Sequence, residues 1–119
     1  RPPPFTEEKT VTMHNVTALE LETWLNDADQ DNPVLLDVRE PWEFETCRID
    51  GSVAMPMNSV PDKLPELDTQ QPIVCICHHG VRSRQVAMYL EQQGIINVYN
   101  LTGGVHAWAL EVDTAMPTY

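Results

Sequence analysis

The run Cys77-His78-His79-Gly80-Val81-Arg82-Ser83 gathers a thiol, two imidazoles, a glycine, a guanidinium and a hydroxyl within one short stretch. It follows the apolar segment Ile73-Val74-Cys75-Ile76 and precedes a pattern with helical spacing. A thiol at such a strand-to-helix junction lies under the unpaired N–H groups of the helix, which together with the helix dipole favour an anion. The thiolate, not the thiol, is the nucleophile, and an ordinary cysteine, with a pKa of about 8.5, is mostly protonated at neutral pH. Inward-facing amides with Arg82 beside them are expected to favour the anionic form. Gly80 allows the backbone to turn with its N–H groups inward, forming a nest for an anion. Ser83 is expected to cap the helix and to donate a hydrogen bond. The chemistry is that of a nucleophilic cysteine in an anion cradle, with His78, His79, Gly80, Val81, Arg82 and Ser83 as its walls.

The other candidate residues are read more plainly. Cys75, two positions back on the same strand, belongs to the core. Cys47, beside Arg48, reads as a surface or half-buried cysteine; a redox pair with Cys77 is the alternative. Asp37 and Arg39 end another strand, and they either support the loop or form a surface ion pair worth about 0–1 kcal/mol. Cys75, Cys77, His78 and His79 superficially suggest a metal site. Strand and loop geometry would have to converge four ligands that point different ways, and structural zinc pairs are usually spaced wider. No metal is expected. The two histidines instead shape access to the loop and gain charge as pH falls below about 6.5. Trp24, Trp42 and Trp108 read as core anchors.

The 119-residue chain is 42% apolar, enough for one compact domain with a core. Residues 1–9, opening on Pro2-Pro3-Pro4, read as a tail, and 10–119 as the domain. A net charge of −11 with only seven Lys and Arg excludes nucleic acid and anionic membrane surfaces as partners. A small anion is still admissible, because Arg82 and Arg84 flank the loop and carboxylates beyond about 8 Å are largely screened at physiological salt. No apolar stretch reaches the roughly 20 residues of a membrane span. Three cysteines are too few and odd in number for a disulfide scaffold, so a reduced, cytoplasmic protein is expected. The chain begins at Arg1 rather than Met, which leaves room for a removed segment.

The elements that must position the loop follow from pattern. Thr17 to Glu20 forms a capping box, with Val16 and Leu21 as a hydrophobic staple, and the apolar spacing predicts a helix near 18–26. Val34–Val38 reads as a buried strand, Pro41 opens a short helix, and 52–55 is a further short strand. Pro61 and Pro65 limit 59–67 to a turn or two of helix. Ile73–Cys77 is the central strand, 83–93 a helix stopped by Gly94, 97–101 a strand, and Gly103-Gly104 turn into a last helix through Trp108. Alternating strands and helices predict an α/β fold with a mainly parallel sheet, and right-handed crossovers put Cys77 at a strand's carboxyl end.

Four stretches in order resemble the rhodanese family of sulfurtransferases in its single-domain form. They are Leu36-Asp37-Val38-Arg39-Glu40 with Glu43-Phe44, Ile49-Asp50-Gly51-Ser52 with Met55-Pro56, Cys77 to Ser83, and Leu101-Thr102-Gly103-Gly104-Val105 with Ala107-Trp108. Where the family often has Gly-His before the second of these, this chain has Cys47-Arg48. The resemblance implies a three-layer α/β/α fold around a parallel sheet. It also implies a sulfurtransferase in which Cys77 takes sulfur from thiosulfate or a persulfide donor and passes it to cyanide or a thiol, a protein thiol included. No cofactor is implied. Phosphatases on a similar scaffold place five residues between cysteine and arginine; here four separate Cys77 from Arg82, which favours sulfur over phosphate. The rival readings are a non-catalytic rhodanese-like binding or sulfur-carrier module and a redox-sensing thiol protein.

Overall fold

In the computed structural model, residues 13–119 are described; the expected tail at 1–9 lies outside them. The elements in chain order are β1 (Met13–Val16), α1 (Ala18–Leu25), β2 (Val34–Asp37), α2 (Pro41–Thr46), β3 (Val53–Ala54), α3 (Val60–Lys63), β4 (Ile73–Ile76), α4 (Val81–Gln92), β5 (Val98–Leu101) and α5 (Gly104–Glu111). Short 3₁₀ turns at Met57–Ser59 and Leu64–Glu66 bracket α3, as the two prolines of that stretch require. The sheet order is β1-β5-β4-β2-β3, with all neighbours parallel. Leu36 of β2 pairs with Cys75 of β4, which in turn pairs with Asn100 of β5.

A strand buried on both faces must read as a continuous apolar run, and Ile73-Val74-Cys75-Ile76 is at most 0% exposed throughout. Its alternate residues feed two cores. Ile73, Cys75 and Cys77 pack with Val86, Ala87 and Leu90 of α4 and with Val60 of α3. Val74 and Ile76 pack on the opposite face with Leu21 of α1 and with Val105 and Trp108 of α5. The sheet with helices on both sides is the expected three-layer arrangement. The capping box is present as expected: Thr17 Oγ1 accepts from Glu20 N–H at 3.1 Å, and Glu20 Oε1 accepts from Thr17 N–H at 2.9 Å.

Several sequence-based expectations need correction. β1 has no counterpart in the sequence reading; it is a short edge strand whose partner, β5, lies 85 residues on. Trp42 is not a core anchor but 61% exposed, its ring edge-on to Tyr119, whereas Trp108 is buried. Cys47 is buried rather than at the surface, and it belongs to the core on the face opposite Cys77, which separates the proposed redox pair. Helix α4 begins two residues before the expected position.

The close packing of α5 on the loop after β4 depends on Gly104. Its φ is +61°, and a Cβ there would run into the carbonyls of Cys77 and His78. Gly51, at φ +86°, has nothing near that position. Gly104→Ala is therefore expected to lower unfolding free energy in urea by at least about 2 kcal/mol, combining positive-φ strain with overpacking, and Gly51→Ala by about 1 kcal/mol. Equal losses in the two variants would show that the close approach carries no weight.

Candidate active site

The turn from β4 into α4 wraps around one sulfur. Gly80, at φ +101°, stands at the start of α4, and its N–H donates to Cys77 Sγ at 3.0 Å. A side chain at that φ is strained, and a Cβ would sit 3.1 Å from Gly103 N and 3.2 Å from Leu101 O. The helix therefore starts at Val81 without a side-chain cap, and Ser83, inside the first turn, is not the cap expected from sequence. The Cys77 sulfur accepts instead from the amide of Gly80, the residue just before the helix.

Ser83 has another task. Its hydroxyl donates to Asn100 Oδ1 at 2.5 Å and accepts from the Cys77 thiol at 3.3 Å. A hydroxyl has one proton, and an amide oxygen only accepts, so Ser83 does not donate to the sulfur as arranged here. Asn100 Nδ2 continues the chain to Asn15 Oδ1 at 3.5 Å, linking the site to the edge strand β1.

From the other side, α5 holds the loop backbone. Val105 N–H donates to Cys77 O at 2.9 Å and His106 N–H to His78 O at 3.1 Å. Amides that a helix start leaves unpaired are thus consumed by the loop's own carbonyls.

Arg82 does not point its charge freely at the loop. It grips Glu43 of α2 with two bonds, Nη1 to Oε1 at 2.7 Å and Nη2 to Oε2 at 2.9 Å. The Glu43 side chain is 5% exposed and that of Arg82 35%. The guanidinium, together with backbone and Tyr119 bonds that outweigh burial, holds the Glu43 carboxyl down at about 2. Tyr119 Oη donates to Glu43 Oε2 at 2.8 Å and accepts from Arg39 Nη1 at 2.9 Å. Burial pushes the Tyr119 hydroxyl up to about 12, so it keeps the proton that this bond needs.

Arg39 and Asp37 form a fully buried pair, not a surface one: Nη2 lies 2.7 Å from Oδ2 and Nε 2.9 Å from Oδ1. Arg39 Nη2 also reaches Cys47 O at 2.6 Å. A side-chain path Asp37–Arg39–Tyr119–Glu43–Arg82 thereby runs from the end of β2 to the loop. Arg48 and Arg84 are exposed, and Arg48 lies on the Phe44 ring instead.

The histidines line the outside. The Tyr119 ring stacks on His78 at 3.9 Å and 12°, and His79 lies on His78 at 4.0 Å. Burial and then the His79 imidazole hold His78 below the usual histidine value. Cys77 itself is only 1% exposed, so a reactant must move part of this wall to reach the sulfur. Cys75, behind it, is pushed up to about 12 by burial and stays a thiol. Sequence reasoning missed Glu43, Asn100, His106 and Tyr119; Glu43 was quoted in a motif, but nothing local marks any of them as neighbours of Cys77.

The Glu43 carboxyl, depressed in the fold, adds stability above its ordinary range near 4.5 that is lost as pH falls toward about 2. Glu43→Gln is expected to cost about 1.5–3 kcal/mol at pH 7 and to flatten that acid slope in urea titrations. Parallel curves for variant and parent would show that the pair contributes no pH dependence.

The pattern of the Rhodanese-like domain family matches residues 17–111. Thiosulfate sulfurtransferase GlpE of Pseudomonas syringae pv. syringae (strain B728a) is 41% identical over 75 residues, 63% of this chain and 71% of that protein. The chloroplastic rhodanese-like/PpiC domain-containing protein 12 of Arabidopsis thaliana is 40% identical over 93 residues, 75% of this chain, which spans only 31% of that relative's length. Among solved structures, a rhodanese-like domain protein from Staphylococcus aureus superposes with a TM-score of 0.75 at 31% identity, covering 90% of this chain and 99% of its own.

Proposed function

The chain belongs to the rhodanese-like domain family, and on that footing we propose that it is a sulfurtransferase whose nucleophile is Cys77. The observation that carries the reading is the Gly80 amide at 3.0 Å from Cys77 Sγ, in a loop with four residues between Cys77 and Arg82. A hydrogen bond donated to sulfur is stronger when the sulfur is charged, so it favours the thiolate. The thiolate attacks the outer sulfur of thiosulfate. The S–S bond of the donor breaks, sulfite leaves with the bonding pair, and Cys77 keeps a persulfide. Cyanide or a thiolate then attacks the terminal sulfur, and the Cys77 thiolate departs as leaving group. Splitting the transfer in two is the general logic of covalent catalysis.

The donor is a small sulfur anion, thiosulfate or a persulfide, and the acceptor is thiophilic, a protein thiol included. Nucleic acid and membranes do not suit the acidic surface. Among the described residues no helix is long and apolar enough to cross a membrane. Three free, buried thiols suit a reducing compartment, and the cytoplasm is the location proposed. Asp37 and Arg39 act as supports, through Tyr119 and Glu43, and the site's own chemistry needs no cofactor. Arg82 is expected to reach the donor's sulfonate only with the edges that Glu43 leaves unused, so amides carry more of the anion's charge than the sequence suggested.

Intact-mass analysis after mixing with thiosulfate tests the reading. The protein should gain one sulfur atom, lose it to cyanide, and Cys77→Ser should gain none. If Cys77 resists both thiosulfate and iodoacetamide in the native state, its burial is that of a structural thiol and the binding-module reading replaces this one. His79→Ala is expected to raise the donor KM several-fold while persulfide formation at saturation stays within about twofold. A loss as complete as that of Cys77→Ser would assign His79 to the chemistry instead of the wall.

A further inference from the structure

Three of the four histidines in the chain meet on one side of the loop. His78 and His79 come from the loop, and His106 from the first turn of α5. The grouping is fixed by the backbone, because bonds from Val105 and His106 to the carbonyls of Cys77 and His78 hold that turn against the loop. One ring nitrogen from each of the three lies within 4.8 Å of the others. Ring centroids are 5.0 Å apart for His79 and His106 and 6.0 Å for His78 and His106. His106 Nδ1 is buried and has no hydrogen-bond partner among the described residues. A buried polar atom left unpaired is costly, and coordination through that nitrogen would satisfy it.

We propose that His78, His79 and His106 form a binding site for a late first-row divalent transition metal, on the wall of the loop that carries Cys77. This set differs from the Cys75–Cys77–His78–His79 grouping that the sequence suggested: His106 replaces both thiols, and Cys75 points into the core. Three imidazoles suit zinc, nickel or copper, and with no carboxylate in the set magnesium and calcium are disfavoured. At metal–nitrogen distances of about 2.1 Å, tetrahedral ligand nitrogens stand about 3.4 Å apart. Closing the set from 4.8 Å calls for modest side-chain rotation, which the exposed His79 can supply, while Tyr119 steadies His78 by stacking. Three protein ligands leave a fourth position for water or an anion. An occupied site ties two loop residues to α5 and narrows the approach to the sulfur.

The inference does not rest on the sulfur-transfer reading, and it is tested by binding alone. Untagged protein is titrated with zinc chloride in a calorimeter, and with cobalt chloride while visible absorption is followed. One equivalent should bind with micromolar affinity, and cobalt should give the intense bands of a tetrahedral site. His106→Ala should weaken binding about tenfold or more by removing one of three ligands, while His14→Gln, remote on β1, leaves it unchanged. Cys77→Ser should keep the affinity within about threefold. Should His106→Ala misfold by circular dichroism, the exposed His79→Gln takes its place. Absence of binding, affinity unchanged by loss of His106 or His79, or affinity abolished by Cys77→Ser alone would each overturn the proposal, the last by assigning the ion to the thiolate.

Discussion

The start of a helix leaves amide hydrogens with nothing in the helix to bond, and the Cys77 loop is built between two such starts. At one, the Gly80 amide turns to the sulfur; at the other, the Val105 and His106 amides take the carbonyls of Cys77 and His78. The loop cannot relax toward either helix without stranding donors or acceptors, and a stranded buried group costs about 1–3 kcal/mol. The arrangement requires α5 to approach the loop at backbone distance, which only a residue without Cβ at position 104 permits. The parallel order β5-β4-β2 sets the positions of both helix starts at one end of the sheet.

Charge is arranged differently from the way composition suggests. The chain carries −11 overall, yet the cation nearest the loop is held by a buried carboxylate, so little free positive charge remains to offset the acidic surface. One amide, that of Gly80, is directed at the sulfur, a fixed dipole in place of mobile charge. The buried Asp37–Arg39 pair gives a rigid footing, satisfied on nearly every side by Cys47 O and Tyr119 Oη. Such a pair adds little net stability over apolar packing, and its worth lies in fixing geometry.

What could be read from sequence was local. The capping box at Thr17, the apolar run into Cys77, the glycine at 80 and the helical spacing after it each involve residues a few positions apart, where propensity and pattern speak directly. The family pattern, spread over four stretches, extended this to the sheet. Partners distant in the chain stayed hidden. Arg82 and Glu43 are 39 positions apart, Tyr119 and Glu43 76, and Asn100 enters from a strand whose polar residue reads as an interruption. Trp42 misled because a large aromatic usually anchors a core, whereas this one leans on Tyr119 at the surface. Ser83 misled because a serine before a helical run imitates a cap; the helix starts two residues earlier than the pattern suggested and takes Ser83 into its first turn.

The single proton of Ser83 can serve only one of its two neighbours at a time. With Cys77 as a thiol, the hydroxyl accepts from sulfur and spends its hydrogen on Asn100. A hydroxyl turned to a charged sulfur would have to leave Asn100 Oδ1, so a charge-assisted bond on one side is set against a neutral bond on the other. The contact from Asn100 Nδ2 to Asn15 on the outermost strand uses the other end of the amide and does not depend on that hydroxyl. The charge on one buried atom is thus tied to the direction of one rotor.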